Sequence, residues 1–194
     1  METPKWWDET WDKRIKETGV VHNKGKLNRL LGILWGKHYL APLEKLDIGC
    51  GPATHAIYLS NFNPFWKDRW TGIDLSRTAL TVPRKLGFNV THGSIFDFNT
   101  GRKFELFLLL DTLEHIQDHE ALGQKIKDLA ADKYTIIGNS PLYFEHNDGE
   151  ERPIDGKTIA RFIHSAGCLM DFSCDVYGIH GLPYANFEAT NEPT

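Results

Sequence analysis

Hydrophobic and polar positions follow two different patterns along the 194-residue chain. In residues 1–44, apolar side chains recur at helical spacing among charges, which predicts two amphipathic helices that form an N-terminal helical extension or cap. The positions with this spacing are Trp6, Trp7, Trp11 and Ile15 in the first helix, and Leu27, Leu30, Leu31, Leu34 and Trp35 in the second. Gly19 and Gly25 lie between the two predicted helices.

From Lys45 onward, short apolar runs alternate with longer mixed segments. We predict buried strands at 46–48, 70–73, 88–91, 104–110 and 134–137, and helices at 53–60, 78–86, 118–131 and 155–166. Such alternation is typical of a parallel sheet in an α/β fold. Two further strand-like runs, 168–177 and 182–190, predict a closing antiparallel hairpin. Residues 45–194 are thus expected to form the main part of a single structural domain.

Composition narrows the class of protein. Lys and Arg total 22 and Asp and Glu total 26, for a net charge of −4, and this mild acidity argues against binding to nucleic acid through bulk positive charge. The three cysteines form neither an even disulfide framework nor a CxxC pair. The longest strongly apolar run, 106–110, is far shorter than the roughly 20 residues of a membrane helix. The expectation is a cytoplasmic protein with no membrane partner.

The most informative stretch follows the first predicted strand. It contains Asp47, Gly49, Cys50 and Gly51, and the third glycine of a dinucleotide-binding motif is absent. A carboxylate at position 47 disfavours a pyrophosphate and suits a ligand with a cationic amino group. Asp74, at the end of the second strand, is suited to accept hydrogen bonds from ribose hydroxyls. A cationic amine and a ribose without phosphate describe S-adenosylmethionine.

Further motifs extend this pattern along residues 43–180. They are Gly93-Ser94-Ile95-Phe96-Asp97 after the third strand, Asp111-Thr112-Leu113-Glu114-His115-Ile116 after the fourth, and the helix end Ser165-Ala166-Gly167. In this order and spacing, the chain resembles the Rossmann-like, class I S-adenosylmethionine-dependent methyltransferases. The resemblance implies a doubly wound, mostly parallel sheet of seven strands with an antiparallel last strand.

The resemblance also implies a set of donor-binding residues. They are Asp47, Gly49, Cys50 and Gly51 around the methionine part, Asp74 and Leu75 at the ribose, Ser94 and Ile95 at the adenine, and Asp111 near the amino group. Cys50 is interpreted as a small buried side chain and not as a nucleophile. Ser94 stands where many members of the family have an aspartate, so backbone groups and Ile95 are expected to recognise the adenine.

Candidate catalytic residues follow the fourth strand. Methyl transfer from a sulfonium is an in-line displacement, and a base is needed only when the acceptor must lose a proton. His115 is the candidate base, with Glu114 beside it, and the alternative is a histidine that only shapes the turn. A second alternative is a divalent metal site made by Asp111, Glu114, His115 and His119, but the prediction is that no metal is used.

Aromatic residues and histidine are the candidates for acceptor contacts. Trp7 and Trp11 in the N-terminal segment could hold a cationic or flat ligand through their ring faces. Tyr143 and His146 lie in the segment after the fifth strand, at the same edge of the sheet. A plain packing role is the alternative for all four.

The sequence therefore predicts an enzyme, an S-adenosylmethionine-dependent methyltransferase that acts on O, N or S of a small-molecule acceptor. Two alternatives stay open. Basic residues in the N-terminal segment leave room for a nucleic-acid or protein methyltransferase. A catalytically silent S-adenosylmethionine-binding partner subunit would keep the same fold.

Overall fold

The computed structural model describes residues 3–18, 42–142, 154–171, 177–179 and 182–192. These residues form two compact units, Thr3–Ser94 and the residues from Ile95 onward. The strands are β1 (Lys45–Ile48), β2 (Trp70–Asp74), β3 (Asn89–His92), β4 (Phe104–Leu110), β5 (Ala130–Pro141), β6 (Leu169–Asp171), β7 (Tyr177–Ile179) and β8 (Leu182–Thr190). The α-helices are α1 (Pro4–Thr18), α2 (Thr54–Ser60), α3 (Pro64–Asp68), α4 (Thr81–Lys85), α5 (His119–Leu129) and α6 (Gly156–Ser165).

The first unit contains three parallel strands in the order β3-β2-β1. Asp47 of β1 is in register with Gly72 of β2, and Asp74 of β2 is in register with His92 of β3. Every residue of β1 and β2 is buried, as expected for strands covered on both faces. The carboxyl ends of these strands therefore bring Asp47 and Asp74 to the same edge.

The second unit contains the strand order β4-β5-β8-β6, and β7 also pairs with β8. β4 and β5 are parallel, whereas β8 runs antiparallel to β5, β6 and β7. Gly138 of β5 leaves room for the ring of Phe187, because a side chain at Gly138 would overlap that ring. Phe187 in turn packs against Phe162 of α6, so this helix covers the antiparallel pair.

The predicted α/β class, the parallel strands and the antiparallel last strand are confirmed. The described residues contain eight strands and not seven, because the run predicted at 168–177 contributes two short strands, β6 and β7. Ile179 pairs with Leu182, as expected for the predicted hairpin. No helix in the described part of the chain is long and apolar enough to cross a membrane.

Local structure differs from the prediction in several places, including two helices. Helix α3 was not predicted, although Asn63 caps it by accepting a hydrogen bond from Phe65 N–H and Pro64 occupies its first turn. The helix predicted to reach residue 131 ends at Leu129, and β5 begins at Ala130. The first N-terminal helix is present as α1, and the second predicted one lies outside the described residues. The boundary at residue 44 between extension and main domain stays a prediction.

Candidate functional site

The turn after β1 is tied to the end of β2. Gly49 and Gly51 have φ values of 70° and 53°, a left-handed conformation that glycine adopts without a steric penalty. The N–H groups of Gly49 and Cys50 both donate to the carbonyl of Ile73, at 2.9 and 3.1 Å. Ala53, at the start of α2, is also left-handed with φ 54°. The only feature of the sequence that pointed to this left-handed alanine was its place two residues after Gly51.

Asp74 closes this turn through its side chain. Its Oδ2 accepts a hydrogen bond from Gly51 N–H (2.7 Å), and its Oδ1 accepts one from Ser76 N–H (2.8 Å). Burial raises the pKa of Asp74, the two backbone hydrogen bonds oppose that rise, and the charges of Asp47 and Asp8 add to it. Each carboxylate oxygen keeps a further lone pair, so Asp74 can still accept hydrogen bonds from a ligand.

Asp47 is buried directly before the glycine turn. The residue is 0% exposed, and within the described structure neither carboxylate oxygen accepts a hydrogen bond. His55 Nε2 lies 2.7 Å from Asp47 Oδ2, which is close enough for an ion pair. The two groups are not aligned for a hydrogen bond. A buried carboxylate in this state is costly unless a donor or a cation compensates it. The place of Asp47 next to the turn therefore fits a ligand with a positively charged group.

Cys50 lies between the two glycines and is buried. Burial raises the pKa of its thiol well above the ordinary value, and the charges of Asp47 and Asp74 raise it further. The thiolate is the nucleophilic form of cysteine. Cys50 is therefore suited to fill space under the turn and not to attack a substrate.

Helix α1 contacts this same edge of the first unit. Asp8 Oδ1 accepts hydrogen bonds from Ser76 Oγ (2.7 Å) and Thr78 N–H (2.9 Å). A Cβ built on Gly51 would lie 2.9 Å from Cζ2 of Trp11, so the indole ring packs directly on the glycine turn. The structure thus brings the predicted acceptor residue Trp11 together with the predicted donor residues. It also adds Asp8, which the sequence analysis did not select.

The first unit also contains the predicted residues Trp7 in α1, Leu75 after β2 and Ser94 after β3. Trp7 is half-buried and packs edge-to-face against Trp6, with ring centroids 4.7 Å apart. Leu75 is half-buried, and Ser94 follows Gly93, whose N–H donates to the carbonyl of Asp74 (2.9 Å). The segment after β3 is therefore tied to the residue predicted to bind ribose.

In the second unit, the predicted residues after β4 are held by the end of β5. Asp111 has a left-handed φ of 52°, and its N–H donates to Oδ1 of Asn139 (2.8 Å). Glu114 is buried and accepts a hydrogen bond from Ser140 Oγ (3.0 Å). His115 is half-buried and ends a short 3₁₀ turn, Leu113–His115, that also contains Glu114. The left-handed backbone of Asp111 is strained, and such strain persists where the surrounding structure enforces it, often at functional sites.

The remaining predicted residues have different outcomes. Ile95 is buried. His119 Nε2 lies 3.0 Å from the carbonyl oxygen of Leu113. Among the residues that the structure describes, no group of three or more His, Cys, Asp or Glu side chains could hold a metal ion, so the alternative metal cluster gains no support there. Tyr143 and His146 lie outside the described residues, and their predicted acceptor contacts stay predictions.

Comparisons with known proteins agree with this architecture. Residues 46–133 match the family model described as a methyltransferase domain. Magnesium protoporphyrin IX methyltransferase (ChlM) from Synechocystis PCC 6803, solved with bound SAH, has a TM-score of 0.73 and 15% identity over 97% of this chain and 98% of its own. N-methyltransferase NodS from Bradyrhizobium japonicum WM9 has a TM-score of 0.70 and 13% identity, covering 89% of this chain and 100% of its own.

A third similar structure is the sugar N-methyltransferase KedS8 from Streptoalloteichus sp ATCC 53650. Its TM-score is 0.65 at 13% identity, over 95% of this chain and 93% of its own. No curated protein shows significant sequence similarity to this chain. The structural similarity confirms the predicted Rossmann-like fold, and the family model confirms the predicted resemblance.

Proposed function

We propose that this chain transfers a methyl group from S-adenosylmethionine to a small-molecule acceptor, a proposal supported by the match of residues 46–133 to a methyltransferase-domain model. The observation that carries this proposal is the buried carboxylate of Asp47, which accepts no hydrogen bond within the described structure. It stands beside a turn whose two glycines are left-handed. An amino group of the donor would supply a positively charged hydrogen-bond donor for this carboxylate.

The described residues fit the donor at both ends. Asp47 would bind the α-ammonium of the methionine part, and Asp74 would accept hydrogen bonds from the ribose hydroxyls with its remaining lone pairs. The glycine turn would let the donor approach the backbone without a Cβ in the way. When bound, S-adenosylmethionine supplies a methyl group on a sulfonium, and its transfer leaves S-adenosylhomocysteine (SAH).

Acceptor contacts are proposed for the segment after β4. The Asn139 and Ser140 side chains hold this segment through Asp111 and Glu114. His115 would take a proton from an acceptor that must lose one, or orient the acceptor by hydrogen bonding. With Glu114 buried against Ser140, its proposed task is to hold the turn that presents His115.

A small acceptor is supported by two kinds of observation. Two similar structures are named for the methylation of a porphyrin and of a sugar. The net charge of −4 does not favour a polyanionic acceptor such as nucleic acid.

Trp7 and Trp11 would contact the acceptor or the donor through their rings.

Calorimetric titration with SAH tests the proposal. We expect saturable binding to the wild-type chain. Asp74→Ala should weaken SAH binding at least about tenfold, because hydrogen bonds to a charged group are lost, whereas His115→Ala should change it less than about twofold. His115→Ala should instead lower turnover once an acceptor is identified.

Two results would contradict this account. The absence of both heat and thermal stabilisation at millimolar SAH would remove the proposed donor, since a ligand that binds the folded state must stabilise it. Equal losses of SAH affinity in the Asp74 and His115 variants would remove the assignment of separate donor and acceptor roles.

A further inference from the structure

His55 and Asp47 form a buried pair on the two sides of the glycine turn. Asp47 belongs to β1, and His55 belongs to α2, which begins after the turn. Their residues are 0% and 8% exposed, and the Nε2 to Oδ2 distance is 2.7 Å. The pair is therefore shielded from water, and each side chain is part of the other's immediate surroundings.

Other ionisable groups lie close to Asp47. Burial raises the pKa of Cys50 and of Asp74, and the charge of Asp47 raises both further. The ammonium of Lys45, on the same strand, donates to the carbonyl of Leu43 (2.6 Å). A buried carboxylate needs a compensating partner, and His55 is in position to be that partner when no ligand is bound.

We propose that His55 is a positioning residue for the amino-acid end of the donor: its imidazole holds the Asp47 carboxylate in the orientation that receives the ligand's α-ammonium. This inference rests on the proposed function. It makes His55 a determinant of specificity for ligands that contain the amino group, and it assigns His55 no contact with the adenosine end.

Two ligands separate this role from a merely structural one. SAH contains both the adenosine and the amino-acid end, whereas 5′-methylthioadenosine keeps the adenosine and the thioether but lacks the amino-acid end. Both affinities are measured by calorimetry on the full chain. His55→Leu should weaken SAH binding about tenfold, as expected for a lost interaction with a charged group, and should change 5′-methylthioadenosine binding less than about twofold.

Further variants test whether His55 acts on SAH binding through Asp47. His55→Gln keeps a side-chain donor for Asp47 and should restore most of the SAH affinity. Asp47→Asn should lose SAH selectively, and His55→Leu added to Asp47→Asn should cause no further loss, because His55 acts through Asp47. His164→Leu replaces an exposed histidine of α6 and should change neither affinity.

The outcomes separate this inference from the proposed function. Equal loss of both ligands in His55→Leu, or unchanged SAH affinity, would overturn the role of His55 while donor binding stands. If His55→Leu does not fold, equal loss of both ligands in Asp47→Asn or His55→Gln would overturn it. A wild-type chain that binds neither ligand would overturn the proposed function and this inference with it.

Discussion

Carboxylates lie close together at the edge of the first unit. Asp47 and Asp74 are buried, and the charges of Asp47 and Asp8 both raise the pKa of Asp74. Ser76 links two of these acids, because its N–H donates to Asp74 and its hydroxyl donates to Asp8. Carboxylates held this close favour a cationic ligand, since its charge relieves their mutual repulsion.

The raised pKa of Asp74 predicts how donor affinity depends on pH. A raised pKa means that this carboxylate takes up a proton at a higher pH than an ordinary aspartate, whose value is 3.8. A protonated carboxyl is a weaker acceptor for ribose hydroxyls, so SAH affinity should fall as the pH is lowered, and the fall should begin above 3.8. Calorimetry across a pH series measures this.

Asp155→Asn is the control for that series. Hydrogen bonds from the Thr158 side chain and backbone lower the pKa of Asp155, and it caps α6 in the other unit. Its removal should leave the pH profile of SAH binding unchanged. A constant affinity down to about pH 4, near the ordinary range of aspartate, would contradict the role of Asp74.

Some site residues could be predicted from the sequence, and others could not. Asp47, Gly49 and Asp74 follow from their places at the ends of buried strands. The left-handed Ala53 could not be predicted, because an alanine adopts that conformation only when the surrounding turn enforces it. The His55–Asp47 contact depends on the direction in which α2 leaves the turn, which the spacing of residues does not determine.

At the scale of secondary-structure elements, α1 is held on the first unit by two unlike contacts. The Asp8 carboxylate accepts hydrogen bonds from the segment after β2, and the Trp11 ring packs on Gly51. Burial raises the pKa of Asp8, but hydrogen bonds from Thr78 and Ser76 outweigh it and bring the pKa below the ordinary value. Asp8 is therefore charged at neutral pH, and its acceptor role persists.

Removal of the Asp8 contact should loosen α1. We expect Asp8→Ala to speed amide hydrogen exchange in residues 4–18 about tenfold, because two hydrogen bonds to a carboxylate are lost. Asp12→Ala is the matched control: Asp12 is exposed on the same helix and pairs with Lys16. Equal exchange rates in the two variants would show that Asp8 does not hold the helix.

The packing of α5 on α6 depends on Gly123. A Cβ at Gly123 would meet the Ser165 side chain and would lie 2.8 Å from backbone atoms of Phe162 and Ala166. Gly123→Ala should therefore lower the free energy of unfolding by about 1–3 kcal/mol, the usual cost of overpacking. Urea denaturation with an unchanged m-value measures this.

Gly156→Ala is the control for the glycine in α5. A Cβ at Gly156 would meet nothing within 4 Å, and alanine is the better helix former. Its stability should be unchanged or slightly higher. If the two alanine variants had equal stability, close approach of the helices would not be the function of Gly123.

At the scale of the whole molecule, the architecture could be predicted because strands and helices alternate over most of the chain. Buried parallel strands favour apolar runs, and β4 (FELFLLL) is close to such a run, whereas the buried strands β1 (KLDI) and β2 (WTGID) also contain polar residues. The division of the described residues into two compact units was not predicted. It depends on long-range packing, which has no local sequence pattern.

We propose that the edge formed by Asp47, the glycine turn and Asp74 holds the methyl donor. A crystal structure of the chain with SAH tests it most directly. We predict the ligand's ammonium within about 3.2 Å of an Asp47 carboxylate oxygen and its ribose hydroxyls within about 3.0 Å of Asp74, the distances of charge-assisted hydrogen bonds. SAH bound elsewhere, or bound here with its ammonium directed away from Asp47, would contradict the account.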